Sequence, residues 1–376
     1  MMAKLAFPAT AREKPTAARG KLPRFNSAAF GFLFRVLVLL LALGTAAGCK
    51  RGEEKKLLIY NWTYYCPDSI IEKFEKEYGI KVVYDEYASN EDMYAKIQSG
   101  GAGYDLVFPS AEFITIMKEQ GMLAKIDRSK LSNLGNIDPL VLEKALYDPN
   151  MDYHVPYCYG AAGIVVNKAK VPDYEKSWSI FSRTDLKDRM TMLDDLREVL
   201  GAALMSLKFS ANSTDPDEIF MARDFINNNW KPNLVKFDAE AFSKGYASGD
   251  FWVVHGYYEN IAEEIRGNEE LLNNTVFIIP EEGGSAFLDG MCILKDAKNI
   301  DAAHKFMDFI HRPEIYAEFA DYFGSPAVVN VPARALKKGT SYITDEDLLR
   351  TELKLDVGSA IDYYNEAWFD SIRIGK

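Results

Sequence analysis

Residues 57–87, LLIYNWTYYCPDSIIEKFEKEYGIKVVYDEY, decide the fold. Leu57, Leu58, Ile59 and Tyr60 form a short apolar run that reads as a strand. After Pro67, the residues Ile70, Ile71, Phe74 and Tyr78 recur at three- and four-residue steps, the spacing of one helix face, and Gly79 supplies the stop. Lys81, Val82, Val83 and Tyr84 give a second β-branched and aromatic run. Strand, helix and strand make a βαβ unit, and ligands bind in the crevice at the carboxyl ends of such strands. The loop at that crevice is Asn61, Trp62, Thr63, Tyr64, Tyr65. A single aromatic there can fill core, but a Trp and two adjacent Tyr cannot all point inward from a short loop, so function is expected at this cluster.

Outward from this unit the same alternation continues. A helix is predicted over 90–98 and a strand over 104–108 (YDLVF), with Ser110 and Glu112 directly behind it. Residues 153–168 (YHVPYCYGAAGIVVNK) are strand-like, with Gly160 and Gly163 in the middle, as expected where a chain crosses between lobes. Further strands are read at 189–193, 249–255 and 275–280, and at 289–294, which is taken as a second crossing. Residues 174–186 show little order around Trp178. The expected class is α/β, a two-lobed fold in which each lobe is a central sheet flanked by helices, with a hinge between. The expected division is 57–160 plus 289–323 for lobe 1 and 161–288 plus 324–376 for lobe 2.

The chain has 376 residues, 48% hydrophobic and 26% charged, ordinary for one large or two medium globular domains. Its beginning is different. A basic flank over 1–26 precedes an apolar segment over 30–47 that only Arg35 interrupts, too short to span a membrane and built like an export signal. Thr45, Ala46, Ala47, Gly48 and Cys49 resemble a lipobox, in which cleavage leaves the cysteine as the lipidated first residue. This predicts a leader over 1–48, lipidation at Cys49, a tether over 49–56 and a periplasmic, membrane-anchored protein. The leader carries seven Lys/Arg and one acid, so its removal takes the net charge from −11 to −17. That balance excludes nucleic acid as a partner and favours cationic ligands. Cys66, Cys158 and Cys292 are far apart and odd in number, which allows at most one disulfide and no structural zinc site.

No catalytic constellation stands out. His154, His255, His304 and His311 are scattered, no nucleophile elbow or Walker loop occurs, and the Gly100, Gly101, Gly103 cluster precedes a strand, where a phosphate cradle needs a helix. No metal or cofactor is expected. The informative pattern is acids with aromatics. Asp195 and Glu198 lie three apart at a helix start, where they either share a cation or form a capping-box variant. Asp289 follows Phe287 in a Gly-rich turn, and Trp252, Tyr257 and Tyr258 flank a strand end.

Five stretches together carry a resemblance: 60–63 (YNWT), 87–96 (YASNEDMYAK), 104–110 (YDLVFPS), 194–199 (DDLREV) and 356–358 (DVG). Over nearly all of the chain after Cys49 it resembles the periplasmic spermidine/putrescine-binding proteins of polyamine ABC transporters, within the bacterial extracellular solute-binding family. The resemblance implies a receptor, not an enzyme, that delivers a polyamine to an inner-membrane ABC permease. In that family aromatic rings lie along the polyamine's methylenes and carboxylates meet its amines. The matching positions are Trp62, Tyr65, Ser110, Asp195, Glu198, Phe287 (where a Trp is usual) and Asp289, with Thr63, Tyr64, Glu112 and Lys354 completing the expected site. Departures from the family pattern concern its far end. Tyr64 stands where Glu is frequent and Glu112 where Tyr is, Val254 and Ser325 replace aromatics, and Lys354 replaces a neutral Gln. An ammonium at 354 repels an amine unless an acid neutralises it. The inner acids are expected to hold one amine while the altered end shifts chain-length preference toward a diamine. Other readings are a receptor for another small cationic or amino-acid-like solute, an exported enzyme using Asp195, Glu198 and Asp289, and an adhesin with a dead pocket.

Overall fold

A computed structural model describes residues 55–374 except 64, 101–102, 325–328 and 340–341. The leader, Cys49, most of the tether, Tyr64 and Ser325 therefore lie outside the described residues. The strands in chain order are β1 (Lys56–Trp62), β2 (Lys81–Tyr87), β3 (Leu106–Val107), β4 (Val155–Ala161), β5 (Gly163–Asn167), β6 (Met190–Met192), β7 (Leu234–Phe237), β8 (Val253–Gly256), β9 (Thr275–Ile278), β10 (Gly284–Ile293) and β11 (Thr351–Leu353).

The first βαβ unit forms as its residues dictate. β1 and β2 pair in parallel from Lys56 opposite Lys81 to Trp62 opposite Tyr87. The connecting helix Asp68–Tyr78 has Asp68 in its first turn and Lys76 in its last, each opposing the helix dipole, and it buries Ile70 and Phe74. Gly79 takes the left-handed turn at φ 62° and donates its N–H to the Glu75 carbonyl. Side chains alternate along β1: Leu57 and Ile59 enter one core and Tyr60 another. The sheet is thus covered on both faces, as a parallel sheet requires.

Two mixed sheets result. The first runs β11-β10-β3-β1-β2 with β4 also paired to β10, and the second runs β7-β6-β8-β5-β9. In the second, Ile164 and Val166 of β5 pack with Trp178 and Trp230 while Val165 faces Phe242 and Val254, the same two-sided burial. Each sheet with its helices is one lobe. The chain passes between them at Ala162, which separates β4 from β5, again over 279–283 between β9 and β10, and again after β11.

Two expectations differ from this arrangement. Residues 284–293 form one strand, so Phe287 and Asp289 sit in a sheet and the chain has already returned by Gly284. The glycines there serve close packing rather than a turn: a Cβ at Gly284 would meet the Ala162 carbonyl at 3.3 Å. In addition Ala286, Leu288, Val329, Ala333, Ile343, Leu348 and Leu353 join the first lobe's core, whereas Val357, Tyr364 and Trp368 join the second's. Residues 284–288 and 329–353, assigned above to lobe 2, therefore pack with lobe 1. Among the described residues no helix is long and apolar enough to cross a membrane, and Cys66 and Cys292 are free thiols, buried as Cys158 is.

Candidate functional site

A cavity of about 1470 Å³ opens at the carboxyl ends of β1 and β3, facing Asp195, Tyr257 and Glu259 of the second lobe. Of the residues singled out from sequence, Trp62, Thr63, Tyr65, Ser110, Glu112, Asp195, Phe287, Asp289 and Lys354 line it. Glu198 sits behind Lys354 rather than on the surface. Of the aromatic loop, Trp62 and Tyr65 both line the cavity while packing against the first lobe's core. Trp62 donates Nε1–H to the Phe108 carbonyl at 2.8 Å with its ring 4.7 Å from that of Tyr87, while Tyr65 turns inward, edge-on to Phe323 at 4.7 Å.

Asp289 owes its place to an irregularity in the sheet. It pairs with Cys158 while Gly290 pairs with Pro156, so Tyr157 of β4 is left over, a bulge of the kind that re-aims side chains. Ser110 meets Asp289 through an isolated bridge. Its hydroxyl donates to Asp289 Oδ1 at 2.6 Å, and the Tyr65 hydroxyl donates to Oδ2 at 2.6 Å. Asn90 Nδ2 donates to Ser110 Oγ at 3.1 Å, which turns the Ser110 proton toward the carboxylate. Burial pushes the Asp289 carboxyl up to about 7, against the downward pull of those two hydroxyls.

Glu112 opens the helix Ala111–Glu119. Burial raises its carboxyl and Lys354 draws it back; its Oε2 has no hydrogen-bond partner among the described residues. Asp195 does cap a helix: its Oδ1 accepts the N–H groups of Arg197 at 2.9 Å and Glu198 at 3.1 Å. It also lines the cavity, so both readings of this acid coexist. Glu198 does neither. Only 1% of its side chain is exposed, and its Oε1 receives Lys354 Nζ at 2.5 Å and the Tyr257 hydroxyl at 3.0 Å. Burial raises Glu198 while Lys354 pulls it down. For Lys354 burial disfavours the charge, but Glu198, Tyr257, Asp195 and Glu112 outweigh it and hold the ammonium charged well above its usual range.

The sequence reading missed Glu259 and gave Arg197 no role. Glu259 accepts the Tyr342 hydroxyl across the lobes, and burial pushes it up to about 7. It directly follows Tyr257 and Tyr258, which the aromatic signal had found. Arg197 lines the cavity, but its guanidinium is held by the Leu355 carbonyl at 3.1 Å and Asn212 Oδ1 at 2.9 Å, 5.0 Å from the Tyr364 ring centre. Trp252 lies elsewhere, under Arg189. His255 is core, edge-on to Trp178 and pushed down to about 3 by burial. Among the described residues no His/Cys/Asp/Glu group is arranged to hold a metal.

Phe287 depends on a glycine. It pairs with Gly160, where an added Cβ would fall 2.3 Å from the ring tip. Gly160→Ala is expected to displace the ring and lower stability by about 1–3 kcal/mol, read by chemical denaturation. Unchanged stability would show that the ring yields freely.

Residues 101–351 match the family model described as bacterial extracellular solute-binding protein. The chain is 36% identical over 344 residues to the spermidine/putrescine-binding periplasmic protein of Escherichia coli (strain K12), covering 89% of this chain and 96% of that protein. It superposes on the Tp0655 (TpPotD) lipoprotein of Treponema pallidum with a TM-score of 0.81 and 48% identity, over 84% of this chain and 99% of that one. A spermidine/putrescine ABC transporter substrate-binding protein PotD from Streptococcus pneumoniae follows at a TM-score of 0.76 and 30% identity, over 84% and 98%. Those solved structures share its two-lobed α/β fold, and the chain belongs to the bacterial extracellular solute-binding proteins.

Proposed function

We propose that this protein is a polyamine receptor that captures putrescine or spermidine between its lobes and hands it to an inner-membrane ABC permease. One observation carries the reading: Asp289, gripped by Tyr65 and Ser110, stands in a cavity walled by Trp62 and Phe287 and faced by Asp195 and Glu259. Carboxylates for ammonium groups and rings for the methylenes between them match a polyamine's chemistry. Charge-assisted hydrogen bonds contribute roughly 1.5–3 kcal/mol each and cation–π contacts roughly 0.5–2. A few of each reach the ~8 kcal/mol that micromolar binding needs. The names of the relatives support the same class. A ligand bridging the lobes completes the cage and shifts the open–closed equilibrium. No catalysis is assigned, since Glu198 is engaged by Lys354 and Asp195 by a helix cap.

Trp62, Thr63, Tyr64, Tyr65, Ser110, Glu112, Asp195, Glu259, Phe287 and Asp289 are assigned to ligand contact, and Cys49 to lipidation with the protein anchored in the periplasm. Detergent phase partitioning checks the anchor: the full chain moves to the detergent phase and Cys49→Ser stays aqueous. Titration calorimetry of residues 50–376, freed of ligand by unfolding and refolding, tests the receptor. Low-micromolar or tighter binding of putrescine or spermidine and none of lysine is expected; silence with both polyamines would sink the reading. An amino-acid-like ligand is disfavoured because Lys354, the ammonium that would meet its carboxylate, is neutralised by Glu198.

A further inference from the structure

The Lys354 side chain is four methylenes ending in an ammonium, an aminobutyl group, the unit that forms one end of spermidine. It enters the cavity from a fixed root: it directly follows β11, and its N–H donates to the Ala286 carbonyl at 2.9 Å, beside Phe287. Its own ammonium is received as a polyamine's would be, by the Glu198 carboxylate at 2.5 Å, which also takes the Tyr257 hydroxyl at 3.0 Å. The side chains are 13% and 1% exposed, so the pair is desolvated. Arg197, the nearby alternative cation, is held by Leu355 and Asn212 and leaves Glu198 to Lys354.

We propose that Lys354 is a built-in terminal ammonium that fills the Glu198–Tyr257 subsite and leaves the cavity with places for a diamine rather than a triamine. The inference rests on the polyamine reading and names the residue that sets chain length within it. The cavity then offers Asp289 and Glu112 from the first lobe, the latter with an Oε2 that has no partner among the described residues, and Asp195 with Glu259 from the second, one pair of carboxyl groups for each end of a diamine. A third ligand ammonium meets the positive Lys354 in place of a free carboxylate. Because the ammonium is covalently attached, the subsite is occupied at every polyamine concentration. Discrimination of this kind is built by repulsion as well as attraction.

Calorimetry with putrescine and spermidine on the ligand-free 50–376 chain tests this. The wild type is expected to bind putrescine at least tenfold more tightly than spermidine, and equal affinity overturns the inference. Lys354→Gln removes the internal ammonium and frees Glu198, so the spermidine-to-putrescine affinity ratio rises at least tenfold. Lys354→Gln/Glu198→Gln removes the receiving carboxylate too, and the ratio falls back toward the wild-type value. A purely structural ion pair would change both affinities by one factor in each variant, leaving the ratio fixed, and that result overturns the proposal. If Lys354→Gln does not fold, Lys354→Met removes the same ammonium while keeping the aliphatic stem, and the same rise in the ratio is expected; an unchanged ratio overturns the proposal. Failure of both polyamines to bind the wild type instead removes the receptor reading itself.

Discussion

Asp289→Asn weakens polyamine binding by roughly 10- to 150-fold, with the protein still folded. The magnitude follows from losing one charge-assisted hydrogen bond, roughly 1.5–3 kcal/mol, at 1.4 kcal/mol per tenfold. The substitution is nearly isosteric. The amide oxygen keeps one of the two hydroxyl donors, and the Ser110 hydroxyl, which already accepts from Asn90, can rotate to accept the new amide. Removing a carboxylate that sits 4% exposed also lifts a desolvation penalty, so thermal stability without ligand stays level or rises. Calorimetry and a melting curve on the same sample separate the two effects. Unchanged affinity would remove Asp289 from the ligand's path.

The second large effect is on pH. Asp289 and Glu259 are both pushed up to about 7, chiefly by burial. The sign runs one way: below 7 each is increasingly neutral, a ligand ammonium favours the ionised form, and binding therefore expels protons. Affinity is full above the raised value and lost as pH falls through it. Each carboxyl contributes about tenfold between pH 8 and pH 6, and two contacts approach a hundredfold. His255 and His311, pushed down to about 3 and about 4, stay neutral throughout this window and do not offset it. Titration at pH 7 in buffers of different ionisation enthalpy is expected to show release of about one proton. Asp289→Asn should roughly halve that release. A pH-independent affinity would mean that neither carboxyl touches the ligand.

The fold was legible where periodicity is strong. The run from Leu57 to Tyr60 read as a strand and Ile70 with Phe74 as the face of its helix, and Gly160 with Gly163 marked the first crossing. The strand read at 289–294 begins earlier than expected, at Gly284, because that glycine looks like a turn in one dimension and is a packing contact in three. Trp178 looked unordered because it sits in a short 3₁₀ turn that carries no repeating face, yet it is buried with Trp230. The site was legible residue by residue but not in its pairings. Nothing local to Lys354 names Glu198 as its partner, since the contact joins β11's end to a helix start more than a hundred residues earlier. Glu259 was missed for the same reason, as its donor Tyr342 comes from the other lobe.

β11 closes the edge of a sheet whose first strand is β1, and the second core waits for Tyr364 and Trp368. Both lobes thus join early chain to late chain. Contacts so distant in sequence slow folding, because the intervening loop must be ordered before they form. A chain emerging from its N-terminus cannot finish either core until nearly all of it has appeared. Taken with the export proposed from the leader, this delay is useful: a chain that cannot yet complete either core resists compaction while it is being threaded through a membrane channel.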